Sequence, residues 1–141
     1  MKESVFIIIT MVVIALALYA VFSFQGQNGI QYQPQNLNWH YDLNSALDEA
    51  NKTNKPIMID FYSPECELCQ ILDENTFSNP QVQKKLTKDY VVTKINVNKN
   101  PDLVSEYKIY SVPVIVFLDS RGNEIKRYEG YIPPEEFLNL L

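Results

Sequence analysis

From Val5 to Phe24 the chain runs for 20 residues without a charge, VFIIITMVVIALALYAVFSF. As a helix rising 1.5 Å per residue, that run measures about 30 Å, the thickness of a bilayer's hydrocarbon core. A buried core helix is one alternative, but no amphipathic stripe is visible and the flanks are wrong for one. A cleaved signal peptide is the stronger competitor. Its apolar region usually spans about 7–15 residues, and Val5–Ile14 followed by Ala15-Leu16-Ala17 would serve as one. The run continues past that point to Phe24, as an anchor's does. Residues 1–24 are therefore read as a membrane anchor or signal segment, with a single uncleaved transmembrane helix favoured. Lys2 and the α-amino group precede the span, and no Lys or Arg follows until Lys52. The positive-inside bias then predicts a single-pass protein of the cell membrane, N-terminus cytoplasmic and everything after Phe24 extracytoplasmic.

Residues 25–36, QGQNGIQYQPQN, are polar and uncharged and show no apolar period. They read as a linker with an r.m.s. reach of about 20 Å as a flexible coil. What remains, 37–141, is one domain's worth of chain. At 46% hydrophobic and 21% charged residues the whole chain has ordinary globular composition. Removing Lys2 and Glu3 from the 12 Lys and Arg and 17 Asp and Glu leaves 11 and 16, so the exported part carries the whole net charge of −5. A protein that binds phosphate backbones needs a basic face, which excludes nucleic acid as the expected partner. Two cysteines and one histidine are too few for a multi-disulfide scaffold and leave little material for a metal site.

The pattern after Leu37 alternates between strand-like and helix-like segments. Leu37–Tyr41 is a short strand candidate. Leu43, Ala46, Leu47 and Ala50 fall at helical spacing, predicting a helix over 43–53 with Asp42 as its cap. Pro56–Tyr62, PIMIDFY, is the continuous apolar run of a strand buried on both faces. Ser63-Pro64 then predicts a helix start, with serine as cap and proline in the first turn. A further helix follows Asn79-Pro80. Tyr90–Val97 reads as a strand, Pro101–Tyr107 as a short helix and Pro113–Leu118 as another buried strand. The turn residues Ser120-Arg121-Gly122-Asn123 lead into Glu124–Glu129 as a hairpin partner, and Pro134–Leu141 closes as a helix. This order predicts an α/β domain with one mixed sheet flanked by helices.

Both cysteines stand together, as Cys66-Glu67-Leu68-Cys69, after a buried strand and at the start of a helix. On a helix, residues i and i+3 share a face with β-carbons about 5–6 Å apart, close enough to form a disulfide after a small adjustment. At the N-terminus the free N–H groups and the dipole favour a thiolate on the first cysteine. Cys66 is thus the expected nucleophile and Cys69, one turn deeper, the residue that resolves the mixed disulfide. The alternatives are a structural disulfide, half of a zinc site completed by dimerisation or by His40, and two buried thiols. A disulfide closing so short a loop would stabilise little.

Residues Leu37–Leu141 resemble a thioredoxin-fold domain. The marks are the strand-Cys-x-x-Cys-helix at 56–69, Asp60 six residues before the first cysteine, and Lys94 on the next strand in Lys94-Ile95-Asn96-Val97. Val112-Pro113 before an apolar strand and Gly130 after the last strand complete them. Asn75-Thr76-Phe77-Ser78-Asn79-Pro80-Gln81-Val82 resembles a segment of the C-terminal periplasmic domain of DsbD-type thiol:disulfide interchange proteins. The resemblance implies a buried Asp60 carboxyl with a raised pKa that relays a proton to or from Cys69, with Lys94 as its electrostatic neighbour; the residue-level alternative is an Asp60 facing water at the strand's end. It also implies a cis Val112-Pro113 bond that exposes the Val112 backbone beside Cys66 to an extended substrate peptide. Thioredoxins have Trp before the first cysteine and Gly-Pro between the two. Here Glu65 precedes and Glu67-Leu68 intervene, so a general cytosolic thioredoxin is not expected.

The expected function is a membrane-anchored, extracytoplasmic thiol:disulfide oxidoreductase without metal or organic cofactor. It would reduce disulfides of exported proteins, with electrons from another dithiol protein, a membrane protein being one candidate. A disulfide oxidase or isomerase on the same fold, and a redox-silent binding module using the Val112-Pro113 edge, are its rivals. Glu65 and Glu67 flank Cys66 and oppose its thiolate, which favours the reductase over the oxidase.

Overall fold

The computed structural model describes residues 2–25 and 37–141, with side chains left out for 2–6 and 21–25. Helix α1 covers Lys2–Gln25. Its described side chains span 7–20, about 21 Å of helix at 1.5 Å per residue. Among the described residues no helix is long and apolar enough to cross a membrane. Apart from Gln25, which ends α1, the linker expected over 25–36 lies outside the described residues.

The second unit is an α/β domain. Its elements in chain order are α2 (Leu43–Thr53), β1 (Ile57–Tyr62), α3 (Glu67–Ile71), a π-helical turn (Leu72–Phe77) and α4 (Pro80–Asp89). Then come β2 (Val91–Asn96), α5 (Pro101–Glu106), β3 (Val114–Leu118), β4 (Glu124–Glu129) and α6 (Pro134–Leu140). One sheet forms in the order β2-β1-β3-β4, with β1 parallel to β2 and antiparallel to β3, and β3 antiparallel to β4. The mixed sheet expected from the sequence is present.

Strand alternation sends the odd residues of β1 to one face and the even ones to the other. Ile57, Ile59 and Phe61 pack with Leu43, Ala46 and Ala50 of α2. Met58 packs with Leu72 and Phe77 of the π-helical turn, with Leu86 of α4 and with Phe137 of α6. Asp60 therefore points into the second layer, the one that carries the π-helical turn. The local chemistry explains the helix starts. Asp42 caps α2 by accepting from Ser45 N at 2.8 Å, and Asn79 caps α4 by accepting from Gln81 N at 2.9 Å.

Two expectations need correction. Leu37–Tyr41 is not a strand: it meets the sheet through the single bridge His40–Thr93. The dithiol helix does not start at Ser63-Pro64, because those residues form a turn in which Cys66 N donates to Ser63 O at 3.2 Å. The cap is Cys66, in extended backbone geometry, and its sulfur accepts from Cys69 N at 3.1 Å.

Candidate active site

Cys66 and Cys69 form a disulfide with Cα atoms 5.2 Å apart. The strand-turn-helix connection makes the two unequal. Cys66 is half-buried at the helix cap, whereas Cys69, a turn inside, is only 3% exposed. Gln70 Nε2 donates to Pro64 O at 3.0 Å and ties the turn before Cys66 to α3. Leu68 stands 48% exposed beside the pair.

A second loop completes the surface. The Val112-Pro113 bond is cis, and Val112 O lies 3.6 Å from Cys66 Sγ. Gly130, at φ +88°, donates its N–H to Pro113 O at 2.8 Å and holds the loop to the end of β4. A chain segment 46 residues from Cys66 is thereby fixed against the sulfur.

Asp60, Lys94 and Asp73 form a charged cluster that reaches from the core to the surface. Asp60 is 1% exposed, and its Oδ1 has no hydrogen-bond partner. Asp60 and Lys94 are register partners on β1 and β2. Lys94 Nζ stands 3.1 Å from Asp60 Oδ2 and 2.5 Å from Asp73 Oδ1. Burial pushes the Asp60 carboxyl up to about 6, against the pull of the Lys94 charge and with a small push from Asp73. Burial lowers the basicity of Lys94, but the two carboxylates outweigh it and hold the ammonium above the ordinary lysine value. The water-facing alternative for Asp60 is thus excluded.

Asp73 was not legible as a site residue. It sits in a half-exposed Asp-Glu-Asn run, and the π-helical turn, which no local pattern announces, turns it toward Lys94. Such turns recur at functional sites. Because the turn continues directly from α3, one helical stretch carries both Cys69 and Asp73 and joins the dithiol to the charged cluster.

Glu65 and Glu67 are exposed, and Glu65 Oε2 accepts from Asn98 Nδ2 at 3.1 Å. Their field at Cys66 is therefore screened by solvent. His40 is engaged elsewhere, with Nε2 2.6 Å from Glu49 Oε2 and Nδ1 3.1 Å from Ser45 Oγ. Among the described residues no cluster of three or more His, Cys, Asp or Glu could hold a metal ion.

A half-buried sulfur backed by a buried one, with a cis-proline loop against it, defines the class: a thiol:disulfide oxidoreductase domain. The thioredoxin-like domain family matches residues 43–141, and the chain belongs to that family. It is 37% identical over 102 residues to the thiol:disulfide interchange protein DsbD of Escherichia coli K12, an alignment covering 68% of this chain and 18% of the relative. The chain thus spans less than a fifth of the length of the curated relatives it matches. Among solved structures it resembles a thioredoxin from Thermus thermophilus, at 29% identity and a TM-score of 0.68 over 74% of this chain and 84% of that one. It also shares the fold of the oxidised C-terminal domain of Neisseria meningitidis DsbD, at 24% identity and a TM-score of 0.62, covering 72% and 95% of the two chains.

Proposed function

We propose that this protein is a membrane-anchored reductase of disulfides in exported proteins. The observation that carries the reading is the buried Asp60, with one unpartnered oxygen, on the strand that leads into the turn before the disulfide, together with the buried Cys69. A static disulfide has no use for a buried acid, whereas a dithiol that must shed and regain a proton does.

In the forward reaction the Cys66 thiolate attacks a substrate disulfide and expels one substrate thiolate, leaving a mixed disulfide. Cys69 then attacks Cys66 Sγ, releases the second substrate sulfur and closes the Cys66–Cys69 bond. Two electrons pass to the substrate, and its two thiolates take up one proton by way of Asp60 and one from solvent, which had received the proton of Cys66 when that thiol ionised. Asp60, ionised near neutral pH, accepts the Cys69 proton as that sulfur attacks, and Lys94 steadies the carboxylate. The Val112 backbone beside Cys66 offers an extended substrate its hydrogen-bonding edge, and Pro113 shapes that edge. A dithiol donor, in keeping with the interchange chemistry named for the DsbD relatives, resets the pair.

The direction rests on Glu65 and Glu67, whose negative charge, weakened by solvent at these exposed positions, still opposes the Cys66 thiolate and withholds part of the stabilisation that a strong oxidant needs. Equilibration of the full chain against a glutathione series is expected to give a midpoint nearer the roughly −270 mV of thioredoxin than the roughly −180 mV of disulfide isomerase. A midpoint at or above about −180 mV would promote the oxidase or isomerase instead.

The anchor rests on the uncharged run of α1, and the extracytoplasmic side on Lys2 ahead of it. Carbonate-washed membranes are expected to retain the mature protein, and protease added from outside to cut its domain. A soluble product starting near Leu18 would mean a cleaved signal peptide.

A further inference from the structure

Lys94 bridges two carboxylates. A lysine carries its charge on a flexible four-carbon stem and readily swings toward water. Asp73 offers it a hydrated partner, with 45% of the side chain exposed, whereas Asp60 offers a buried one. The ammonium contacts both, at 2.5 Å from Asp73 Oδ1 and 3.1 Å from Asp60 Oδ2. Three aromatic faces surround it there: Tyr62 at 4.9 Å, Trp39 at 5.1 Å and Phe77 at 5.7 Å from the ring centroids. Tyr62 ends β1 and Phe77 ends the π-helical turn, so both belong to elements that build the site anyway. Trp39 does not. It comes from the segment before α2, outside every named element.

That segment is fastened one residue further on. His40 N donates to Val92 O at 2.9 Å, Lys94 N donates to His40 O at 2.8 Å, and Thr93 Oγ1 donates to the same carbonyl at 3.0 Å. The imidazole is tied to α2 through Glu49 and Ser45. So the bridge that replaces the expected first strand has a specific result: it places the indole over the Lys94 ammonium and edge-on to Phe77, at 5.2 Å and 68°. Trp39 also walls a cavity of about 500 Å³ that reaches Lys94 and Asp73. Indole is the strongest of the aromatic cation-binding faces, and the attraction grows when the cation is desolvated.

We infer that Trp39 is a positioning residue for the thiol–disulfide reaction, holding Lys94 against Asp60 rather than letting it follow Asp73 into water. The inference rests on the proton-relay role proposed for Asp60. Without the indole face the ammonium moves toward Asp73 and solvent, while Asp60 stays in the core and loses its nearest opposite charge. The ionisable groups facing Asp60 are Lys94 and Asp73, with no other charge contributing to its shift. A carboxylate deprived of an adjacent cation titrates higher.

The test follows the Asp60 carboxyl by NMR in the full chain labelled with carboxyl-¹³C aspartate, in the oxidised state. Trp39→Leu keeps apolar bulk without a π face, and Trp39→Phe keeps a face. The leucine variant is expected to raise the Asp60 midpoint by about one pH unit, the size of an opposite-charge contribution. The phenylalanine variant should stay within about a third of that shift. Lys94→Met should raise it too, and combining it with Trp39→Leu should add nothing further. An unchanged midpoint in the leucine variant, or a shift that adds to that of Lys94→Met, overturns the inference. In the unsubstituted protein the Lys94 side-chain resonances should be shifted upfield by the rings and move downfield in Trp39→Leu; their absence of shift overturns it even where the leucine variant does not fold. These readouts need no turnover, so a failed relay role, seen as full activity in Asp60→Asn, remains distinguishable from a failed Trp39 role.

Discussion

Replacing Asp60 with asparagine is expected to stabilise the oxidised protein by about 3 kcal/mol at pH 8 and to leave it nearly unchanged near pH 3. The carboxyl titrates at 3.8 in the unfolded chain and at about 6 in the folded one. Between those values the folded protein holds a proton that the unfolded chain has released, so stability falls as pH rises through that window. Above pH 7 the folded state carries the whole cost of a buried charge; two pH units at 1.36 kcal/mol each give about 3 kcal/mol. Below pH 3.8 the carboxyl is protonated in both states and asparagine imitates it. Lys94 keeps Asp73 as a partner in the variant, so removing Asp60 leaves no stranded cation. Denaturant unfolding at the two pH values measures the difference, and an equal gap at both would refute the charge as its source. The same variant should lose roughly 100-fold in the Cys69 resolution step, at the lower end of what a positioned base contributes.

Larger still is the asymmetry expected of the cysteines. In the reduced protein, alkylating reagent should modify Cys66 at least about tenfold faster than Cys69, because reactivity follows thiolate character and access. Cys69 is 3% exposed. Cys66→Ser should lower turnover by at least about a thousandfold, as loss of a nucleophile does. Cys69→Ser should instead accumulate mixed disulfides with its substrates, visible as reductant-sensitive adducts, because no second sulfur remains to release them. Faster labelling of Cys69, or adducts forming on the Cys66→Ser variant, would reverse the assignment of nucleophile.

Much of this domain was legible because its elements declare themselves locally. The spacing of Leu43, Ala46 and Ala50 predicts α2 at the residues it occupies, and Glu124–Glu129 is β4 as the turn chemistry requires. Cys66 and Cys69 stand out by their spacing and Asp60 by being a charge in an apolar run. The missed features depend on residues that meet only in three dimensions. Asp73 gains its meaning from Lys94 on a strand 21 residues away, through a π-helical turn whose extra residue per turn no periodicity reveals. Trp39 reads as an ordinary apolar residue of a short strand until the chain is seen to touch the sheet at one point only. Ser63-Pro64 carries a sound helix-start signal, overridden by the turn that hands the cap to Cys66.

The central position of β1 has a consequence for the newly made chain. β3 and β4 meet across a turn closed between Asp119 and Asn123, a local event with little loop entropy to overcome. Ile57 of β1, by contrast, pairs with Val91 on one side and Leu118 on the other, contacts of long sequence separation that form slowly. Synthesis runs from the N-terminus, so Cys66 and Cys69 emerge well before Val112 exists to be laid against them. Until β3 closes on β1 the two sulfurs are thiols of an unfinished chain, open to any oxidant or stray partner. The dithiol becomes selective only when the longest-range pairing of the sheet is made, which ties the time at which the protein becomes chemically competent to its contact order.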